Sequence, residues 1–246
     1  MKIIFSPSKA QITRTIRSVE SLSQEPQFQR SAKKLFRKVQ KFSQDDLQKI
    51  FKTSGMLTQE VFNMYHSGEE RGHAVASFTG TSFKQISVDS YTQEDCEFAQ
   101  DRLLILSGLY GVLRPFDQIR EYRLDMNDKI FEEGDEYRSL YNFWKRDIEE
   151  YFQSDEVILN LASREYSKML SAEQQSRMIT VDFLIQKGSE TKSISVFAKQ
   201  QRGKMLDWII KNKIENLSEL DHYRSDGFEL DQGLSNGGVK VFIKKM

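Results

Sequence analysis

The stretch Met1-Lys2-Ile3-Ile4-Phe5-Ser6-Pro7-Ser8-Lys9 is a short apolar run followed at once by small and basic residues. Ser6-Pro7 stops the apolar run, which predicts a buried strand that delivers a polar loop. The run Val157 to Leu161 also predicts a buried strand, and a polar, basic segment follows it. The fold is therefore expected to contain short buried strands whose ends carry polar loops.

Helices are predicted from apolar periodicity and from residues that suit a first turn. Between Pro26 and Phe42 the apolar residues recur at helical spacing. The opposite side of this helix is a basic face made of Lys33, Lys34, Arg37, Lys38 and Lys41. The other predicted helices are one opened by a capping box of Ser43 with Asp46, one capped by Thr58, one running from a capping box of Thr92 with Asp95 through Leu106, one over 140–152 and one over about 203–212.

Further strands are predicted from alternating or short apolar runs. They are 75–78, 178–185, 192–199, 228–230 and 239–243. We expect 178–185 and 192–199 to form an antiparallel pair, and the last two to form a hairpin. Strands and helices are intermixed, without regular β-α-β alternation or an internal repeat. We therefore predict an α+β fold, a single compact mixed α/β domain over residues 1–246.

The composition is that of an ordinary globular protein. Of 246 residues, 38% are hydrophobic and 29% are charged, so a sizeable core is expected and disorder is not. No apolar run approaches the roughly 20 residues that cross a bilayer, and Ile3–Phe5 is too short for a signal-peptide core. The single cysteine, Cys96, cannot form an internal disulfide. These features predict a cytoplasmic protein with no membrane partner and no evident obligate protein partner.

Metal-binding residue types are sparse. His66 and His73 are the only histidines near each other, and His222 is far away, so a metal site would need carboxylates from elsewhere. Glu69-Glu70 is expected to be a hydrated turn, and we predict no metal and no other cofactor. The acidic neighbours of Cys96 should raise the pKa of its thiol, which disfavours a peroxide-sensing role.

Basic and acidic residues balance over the whole chain. There are 36 of each, giving a formal net charge of +0, whereas many dedicated nucleic-acid binders are strongly basic. Any nucleic-acid function must therefore rest on local clustering. Four stretches join small or turn-forming residues to cations at predicted element ends: Ser6-Pro7-Ser8-Lys9, Ser107-Gly108-Leu109-Tyr110-Gly111-Val112-Leu113-Arg114-Pro115, Asn160-Leu161-Ala162-Ser163-Arg164-Glu165-Tyr166-Ser167-Lys168, and Ala198-Lys199-Gln200-Gln201-Arg202-Gly203-Lys204.

These four stretches, with Phe78-Thr79-Gly80 and Tyr122-Arg123-Leu124-Asp125-Met126, resemble the YaaA (peroxide stress protein) family in the same order over essentially the whole chain. The resemblance implies a mixed α/β fold with a helix-hairpin-helix-like element and a positively charged cleft. It also implies binding to duplex and other forms of DNA and a role in limiting peroxide damage. By this resemblance, the nucleic-acid-binding positions are Lys9, Gly108, Gly111, Arg114, Arg123, Lys168, Lys199 and Arg202.

Phosphate chemistry gives these positions a physical rationale. Arginine offers a planar fork of donors and lysine a compact charge, and both hold a nucleic-acid backbone without reading its sequence. The plain alternative for each cation is a solvated surface charge. Gly108-Leu109-Tyr110-Gly111 could present backbone N–H groups to phosphate, as helix-hairpin-helix turns do. The alternative there is a helix C-cap leading into a tight turn, and the two residues between the glycines, with Pro115 close behind, depart from the usual hairpin.

Three functions are carried forward. The first is a non-catalytic DNA-binding protein with little sequence specificity, acting on duplex, single-stranded or irregular DNA. The second is an enzyme acting on a nucleotide or nucleic-acid base, in which Lys9, Lys168 or Lys199 is activated and Glu165 or Asp125 assists. The third is a regulatory protein whose basic helix face contacts an acidic partner. The Ser-x-x-Lys spacing at the first polar loop also occurs in serine acyl-transfer enzymes, but their companion motifs are absent. We favour binding over catalysis.

Overall fold

A mixed β-sheet forms the centre of the protein in a computed structural model that describes residues 1–67, 70–153 and 155–245. The strands are β1 (Lys2–Phe5), β2 (Gly72–His73), β3 (Leu103–Ser107), β4 (Gly111–Leu113), β5 (Gln118–Ile119), β6 (Ile158–Asn160), β7 (Met178–Lys187), β8 (Glu190–Lys192), β9 (Glu229–Leu230) and β10 (Val239–Lys245). The central sheet has the order β4-β3-β1-β6-β7-β10-β9, and β8 pairs with β7. Strands β2 and β5 form a separate antiparallel pair.

The five inner strands of this sheet are parallel. Strand β1 pairs in parallel with β3 and β6, and β7 pairs in parallel with β6 and β10. Among the described strands of this sheet, only β4, β8 and β9 run antiparallel to their neighbours. Parallel strands are covered on both faces, which explains why β3 and β6 are buried throughout and apolar up to their last residues, Ser107 and Asn160. The fold is thus a single mixed α/β domain, as predicted, but its large sheet is mostly parallel, which corrects the α+β class that the irregular order of strands and helices favoured.

Helices cover the sheet. They are α1 (Gln29–Val39), α2 (Gln44–Phe51), α3 (Met56–His66), α4 (Ala74–Ser77), α5 (Gln93–Arg102), α6 (Leu140–Tyr151), α7 (Arg164–Ser167), α8 (Ala172–Ser176) and α9 (Ser195–Lys211). Both predicted capping boxes are confirmed, because the Ser43 and Thr92 side chains accept the backbone N–H groups of Asp46 and Asp95. None of the helices in the described part of the chain is long and apolar enough to cross a membrane.

The segment after α5 is the main correction. Leu103 to Leu106, predicted as helix, are in β3, and Gly111 begins β4, so Ser107 and Gly111 close a β-hairpin. All residues of β3 are buried, and a fully buried run has no polar face whose period could distinguish a strand from a helix. The predicted helix-hairpin-helix-like element is therefore wrong for this segment, because strands flank the turn on both sides.

Three smaller predictions also change. The predicted strand 75–78 is the single helical turn α4. The predicted strand 192–199 is mostly the start of α9, and the alternation of Ser193, Ile194, Ser195 and Val196 that predicted it ends at Phe197. The third helix begins at Met56 and is not capped by Thr58, whose buried hydroxyl lies 2.9 Å from that of Thr53. The hairpin of β9 and β10 and the strand β6 are confirmed.

Candidate functional site

A cleft opens where the sheet's two central strands end. Strands β1 and β6 are parallel neighbours, so their carboxyl ends lie side by side at one edge. After β1, the chain continues into the sheet at β3, which lies on the side of β1 away from β6. After β6, the chain continues at β7, which lies on the side of β6 away from β1. Connections that depart in opposite directions leave a crevice between them, the position where open α/β sheets bind ligands. We refer to this cavity, of about 480 Å³, as the switch-point cleft.

Two serines hold the walls of the switch-point cleft together. The backbone N–H of Ser163 donates to Ser6 Oγ at 2.8 Å, and the two hydroxyl oxygens are 3.3 Å apart. Ser8 Oγ accepts from the backbone N–H of Ala10 at 3.2 Å, which fixes the next turn of the same loop. The polar loops predicted after β1 and β6 are therefore joined to each other through hydrogen bonds at the base of the cleft.

Three of the predicted cations line this cleft, and acids accompany them. The cations are Lys9, Lys199 and Arg202, and the acids are Asp125 and Glu165. The lining thus carries a small positive excess with both signs present, so it is less basic than the resemblance implied. The cations come from the loop after β1 and from α9, segments separated by almost the whole chain.

Asp125 is the centre of a hydrogen-bonded group on one wall. Its Oδ2 lies 2.7 Å from Lys9 Nζ, and its Oδ1 accepts from the Tyr166 hydroxyl at 2.7 Å. Lys9 is 59% exposed, whereas Asp125 is only 16% exposed, so the lysine reaches in from solvent to a sheltered carboxylate. Burial and the neighbouring Asp125 raise the pKa of Tyr166, which stays a neutral donor. Asp125 thereby fixes Lys9 and a phenol at the cleft wall.

Two further carboxyl groups near Asp125 are harder to ionise than usual. Burial raises the pKa of Asp128 to about 6, and its Oδ2 accepts from the backbone N–H of Asp125 at 2.7 Å. Burial and the charge of Asp125 also raise the pKa of Glu165, whose Oε1 accepts from the backbone N–H of Asn127 at 3.2 Å. The acidic wall therefore loses negative charge at mildly acidic pH.

Arg202 is an unusual cation because it is sheltered and poorly paired. Its side chain is 19% exposed, and within the part of the chain that the structure describes it pairs with one acid, Asp182, at 3.6 Å from Nη2. Its Nε is buried and has no hydrogen-bond partner among the described residues. Burial lowers its pKa, with Asp182 opposing the shift. A guanidinium that keeps unmatched donors beside a cleft is suited to an anion that enters from solvent.

A close approach between two segments positions Arg202. Its neighbour Gly203 packs so tightly that an added Cβ would lie 2.1 Å from the Ser82 carbonyl oxygen. Lys199 lies one turn earlier on α9 and is exposed, without an ion pair to any described residue. Opposite, an added Cβ on Gly80 would lie 2.3 Å from Ser8 Oγ. Glycines thus let α9 and the segment around Ser82 close on the loop after β1.

The other predicted cations lie away from the switch-point cleft. Arg114 has a structural role: its backbone N–H and Nε donate to Asp117 at 2.9 and 3.0 Å, and Asp117 is fully buried. Lys168 is exposed just after α7 and does not line the cleft. Arg123 is partly buried beside Tyr65, which accepts from its backbone N–H, and it also lies outside the lining. The predicted site of six cations is thus reduced to three.

The two predicted phosphate-binding glycines are packing residues. An added Cβ on Gly108 would lie 2.2 Å from the Leu124 carbonyl oxygen, and the Gly108 carbonyl accepts from Trp144 Nε1 at 2.8 Å. Gly111 has a φ of +72° and faces the Trp144 ring, which an added Cβ would approach to 2.8 Å. Both positions are buried, so they offer no surface to a DNA backbone.

Sequence reasoning named Asp125 and Glu165 only as partners in an enzyme, and it missed Asp128 and Ser163. Asp128 lay just beyond the motif 122–126, and its burial is what distinguishes it. Ser163 was inside a recognised stretch, yet its partner Ser6 is far away in sequence. Local spacing could not have found the contact between Ser6 and Ser163, because it depends on β1 and β6 being neighbours, and it could not have shown that Asp128 is buried.

Residues suited to metals stay apart. Within residues 1–67, 70–153 and 155–245, no group of three or more His, Cys, Asp or Glu could hold an ion. His66 stacks on Phe62, and the Nδ1 of buried His73 accepts from a backbone N–H. The predicted hydrated turn at Glu69-Glu70 falls partly outside the described residues. Burial and acidic neighbours raise the pKa of the Cys96 thiol, as predicted.

Comparison with known proteins places this chain in a family. The family model described as peroxide stress protein YaaA matches residues 1–234. A UPF0246 protein of Fusobacterium nucleatum is 34% identical over 100% of this chain and 99% of its own length. UPF0246 proteins of Crocosphaera subtropica and Clostridium beijerinckii are 36% and 37% identical, each over 99% of this chain and over 100% and 98% of their own lengths. This chain is thus similar to UPF0246 proteins over nearly its whole length. It belongs to the YaaA family of peroxide stress proteins.

Proposed function

We propose that this protein binds DNA during peroxide stress, and that the switch-point cleft holds neighbouring phosphates of the nucleic-acid backbone with little regard to sequence. The observation that carries the proposal is the state of Arg202. Its guanidinium is mostly buried, its Nε is unmatched and its nearest acid is 3.6 Å away. A phosphate offers oxygens in the geometry that a guanidinium fork prefers, and so would satisfy these donors.

Two other cations support the same reading. Lys199 projects from the same helix as Arg202 and lines the same cleft without an acid partner in the described chain. Lys9 lies on the facing wall and is held by Asp125, which limits the side-chain entropy lost on binding. Contacts of this kind fix a nucleic-acid backbone without distinguishing bases. The family's description as a peroxide stress protein supports the physiological setting.

The test is a binding series on single-stranded, duplex and gapped DNA at several salt concentrations. Lys199→Ala should weaken binding about tenfold on every sequence, because it removes one charge-assisted phosphate contact that does not read bases. Lys168→Ala is the matched control: it removes the same charge from an exposed position off the cleft, and its affinity should equal that of the wild type. Equal losses in the two variants, or binding to none of the DNAs, would refute the proposal.

A second function is favoured by one specific group of contacts. Asp125 binds both Lys9 Nζ and the Tyr166 hydroxyl at 2.7 Å, and Glu165 beside it has a raised pKa. Charged acids and a phenol in one sheltered cleft are the parts of a general acid–base centre. On this reading the cleft would act on a nucleotide or a nucleic-acid base extruded from its strand.

The two functions are separated by Asp125→Asn. The amide keeps an oxygen that can accept from Tyr166, but it removes one negative charge from the cleft. A binding protein should then hold DNA as tightly as before or more tightly, because repulsion of phosphate falls. An enzyme should instead bind DNA and leave it chemically unchanged where the wild type alters it, as mass spectrometry of the recovered nucleosides would show.

A further inference from the structure

A second cavity lies beside helix α1, and none of its lining residues belongs to the switch-point cleft. We refer to it as the α1 pocket. Its volume is about 280 Å³, at the lower end of the range of small-molecule sites. Its apolar lining includes the buried Ala32, Leu109 and Tyr110 and the partly buried Phe36. An apolar base of this size suits one small ligand with a flat ring.

Cations surround that apolar base. Lys33, Arg37, Arg71 and Arg120 line the α1 pocket, and Glu25 is the one acid among the described residues of the lining. Glu25 is occupied by Arg71, whose Nη1 lies 2.6 and 2.9 Å from its two carboxylate oxygens. The pocket therefore keeps a positive excess in a chain whose formal net charge is +0.

The cations on the basic face of helix α1 do not all line the α1 pocket. Lys38 is committed elsewhere, since its Nζ is 2.7 Å from Asp135. Lys33 and Arg37 are exposed, line the α1 pocket and have no ion pair with any residue that the structure describes. They are four residues apart on a helix, so their side chains emerge side by side and can hold one anion between them.

The remaining wall offers a stacking surface. The Arg120 guanidinium lies over the Phe36 ring, 4.6 Å from its centroid. Phe36 is itself supported by Tyr65, at 5.0 Å between centroids. An aromatic ring next to a planar cation is the kind of surface on which nucleobases stack.

We propose that the α1 pocket binds a nucleoside monophosphate, with the nucleobase against the Arg120 guanidinium that lies over Phe36 and the phosphate between Lys33 and Arg37. The size of the pocket limits the ligand to one nucleotide. The positive charge of the pocket favours a phosphate group, and its apolar floor favours a planar ring. This site is independent of the switch-point cleft and of DNA binding there.

The test is calorimetric titration of the full chain with 5′-AMP, 5′-GMP, 5′-CMP and 5′-UMP, and separately with adenosine and inorganic phosphate. At least one nucleotide should bind, and adenosine and phosphate should each bind about tenfold more weakly than the best nucleotide, since each lacks half of the contacts. The variant Lys33→Ala with Arg37→Ala should lose about tenfold in nucleotide affinity or more. Both side chains are exposed, so the core is untouched; if the double variant unfolds early, each single variant should still lose roughly threefold.

Two controls give the test its specificity. Lys34→Ala removes a cation from the same helix but from outside the pocket lining, and Lys199→Ala removes one from the switch-point cleft. Both should bind nucleotide like the wild type. The proposal is overturned if no nucleotide binds, if phosphate or adenosine binds as tightly as the nucleotides, if Lys34→Ala weakens binding as much as the pocket variants, or if the loss follows Lys199. Failure of DNA binding would leave these outcomes unchanged.

Discussion

At the scale of single residues, Arg202 shows how a side chain can be poorly suited to the folded state and well suited to a ligand. A buried charge with an unmatched donor costs stability unless a partner supplies what water would have supplied. Asp182 cannot do so fully at 3.6 Å. Arg114 is the opposite case, because its backbone N–H and its Nε both donate to the buried Asp117. Those donors are therefore occupied and do not bind an external anion.

Arg202→Met should therefore separate stability from binding. The methionine fills similar space without a charge, and Asp182 is 46% exposed and can return to water. We expect the free energy of unfolding in urea to stay the same or to rise by about 1 kcal/mol, while DNA affinity falls about tenfold or more. Arg224→Met, which removes an exposed arginine paired with Glu229, is the control and should change neither quantity. A large loss of stability with unchanged binding would make Arg202 a structural residue.

The raised pKa of Asp128 predicts how DNA affinity depends on pH. Burial raises its pKa to about 6, and Asp125, Glu165 and Lys9 are the charged groups that act on it. Below that pH it is neutral, so the cleft repels phosphate less and DNA affinity should increase roughly threefold between about pH 7.5 and pH 5.5. The raised pKa also means that Asp128 favours the folded state below about pH 4 and that this contribution is lost as the pH rises through about 6.

The measurement is DNA affinity at constant ionic strength across that pH range. Asp128→Asn keeps an oxygen that can accept the Asp125 N–H, and it removes the titration. Its affinity should be close to the low-pH value of the wild type and should change less with pH, the remaining change coming from Glu165. An identical pH profile in the two proteins would show that Asp128 does not act on the cleft.

At the scale of elements, the sequence predicted what depends on local periodicity or capping and failed where tertiary pairing decides. Helix α1 has its buried face at Ala32, Leu35 and Val39, as the apolar spacing predicted. Strand β3 has no polar face, so its type depends on having β1 and β4 beside it. The same distinction applies to the switch-point cleft. The sequence predicted its polar loops, but only the strand order shows that these loops lie together.

The contact between α9 and the segment around Ser82 is an element-scale feature that can be tested directly. Gly203→Ala would bring a Cβ to 2.1 Å from a backbone carbonyl, so α9 must shift and carry Lys199 and Arg202 with it. We expect a loss of about 1–3 kcal/mol in unfolding free energy, together with weaker DNA binding. Gly237→Ala is the control, since nothing lies within 4 Å of its added Cβ. Normal DNA affinity in Gly203→Ala would show that the position of α9 is irrelevant to the site.

At the scale of the whole molecule, the topology compensates for a neutral composition. The parallel inner strands bring the loops after β1 and β6 to one edge, and the crossover to α9 adds two cations there. Local grouping of charge can then attract an anion although basic and acidic residues cancel overall. The number of grouped cations, and not the net charge, should set how strongly salt weakens binding.

Three cations at the cleft set a specific salt dependence. Each phosphate neutralised contributes a slope of about −0.9 on duplex and −0.7 on single strands, so log affinity against log salt should fall with slopes near −2.7 and −2. The six cations predicted from the sequence would instead give about −5 on duplex. The variant combining Lys199→Ala with Arg202→Met should reduce the duplex slope to about −1, since Lys9 alone remains. A wild-type slope near −5 would mean that Arg114, Arg123 and Lys168 also contact DNA, and that the bound strand extends well beyond the switch-point cleft.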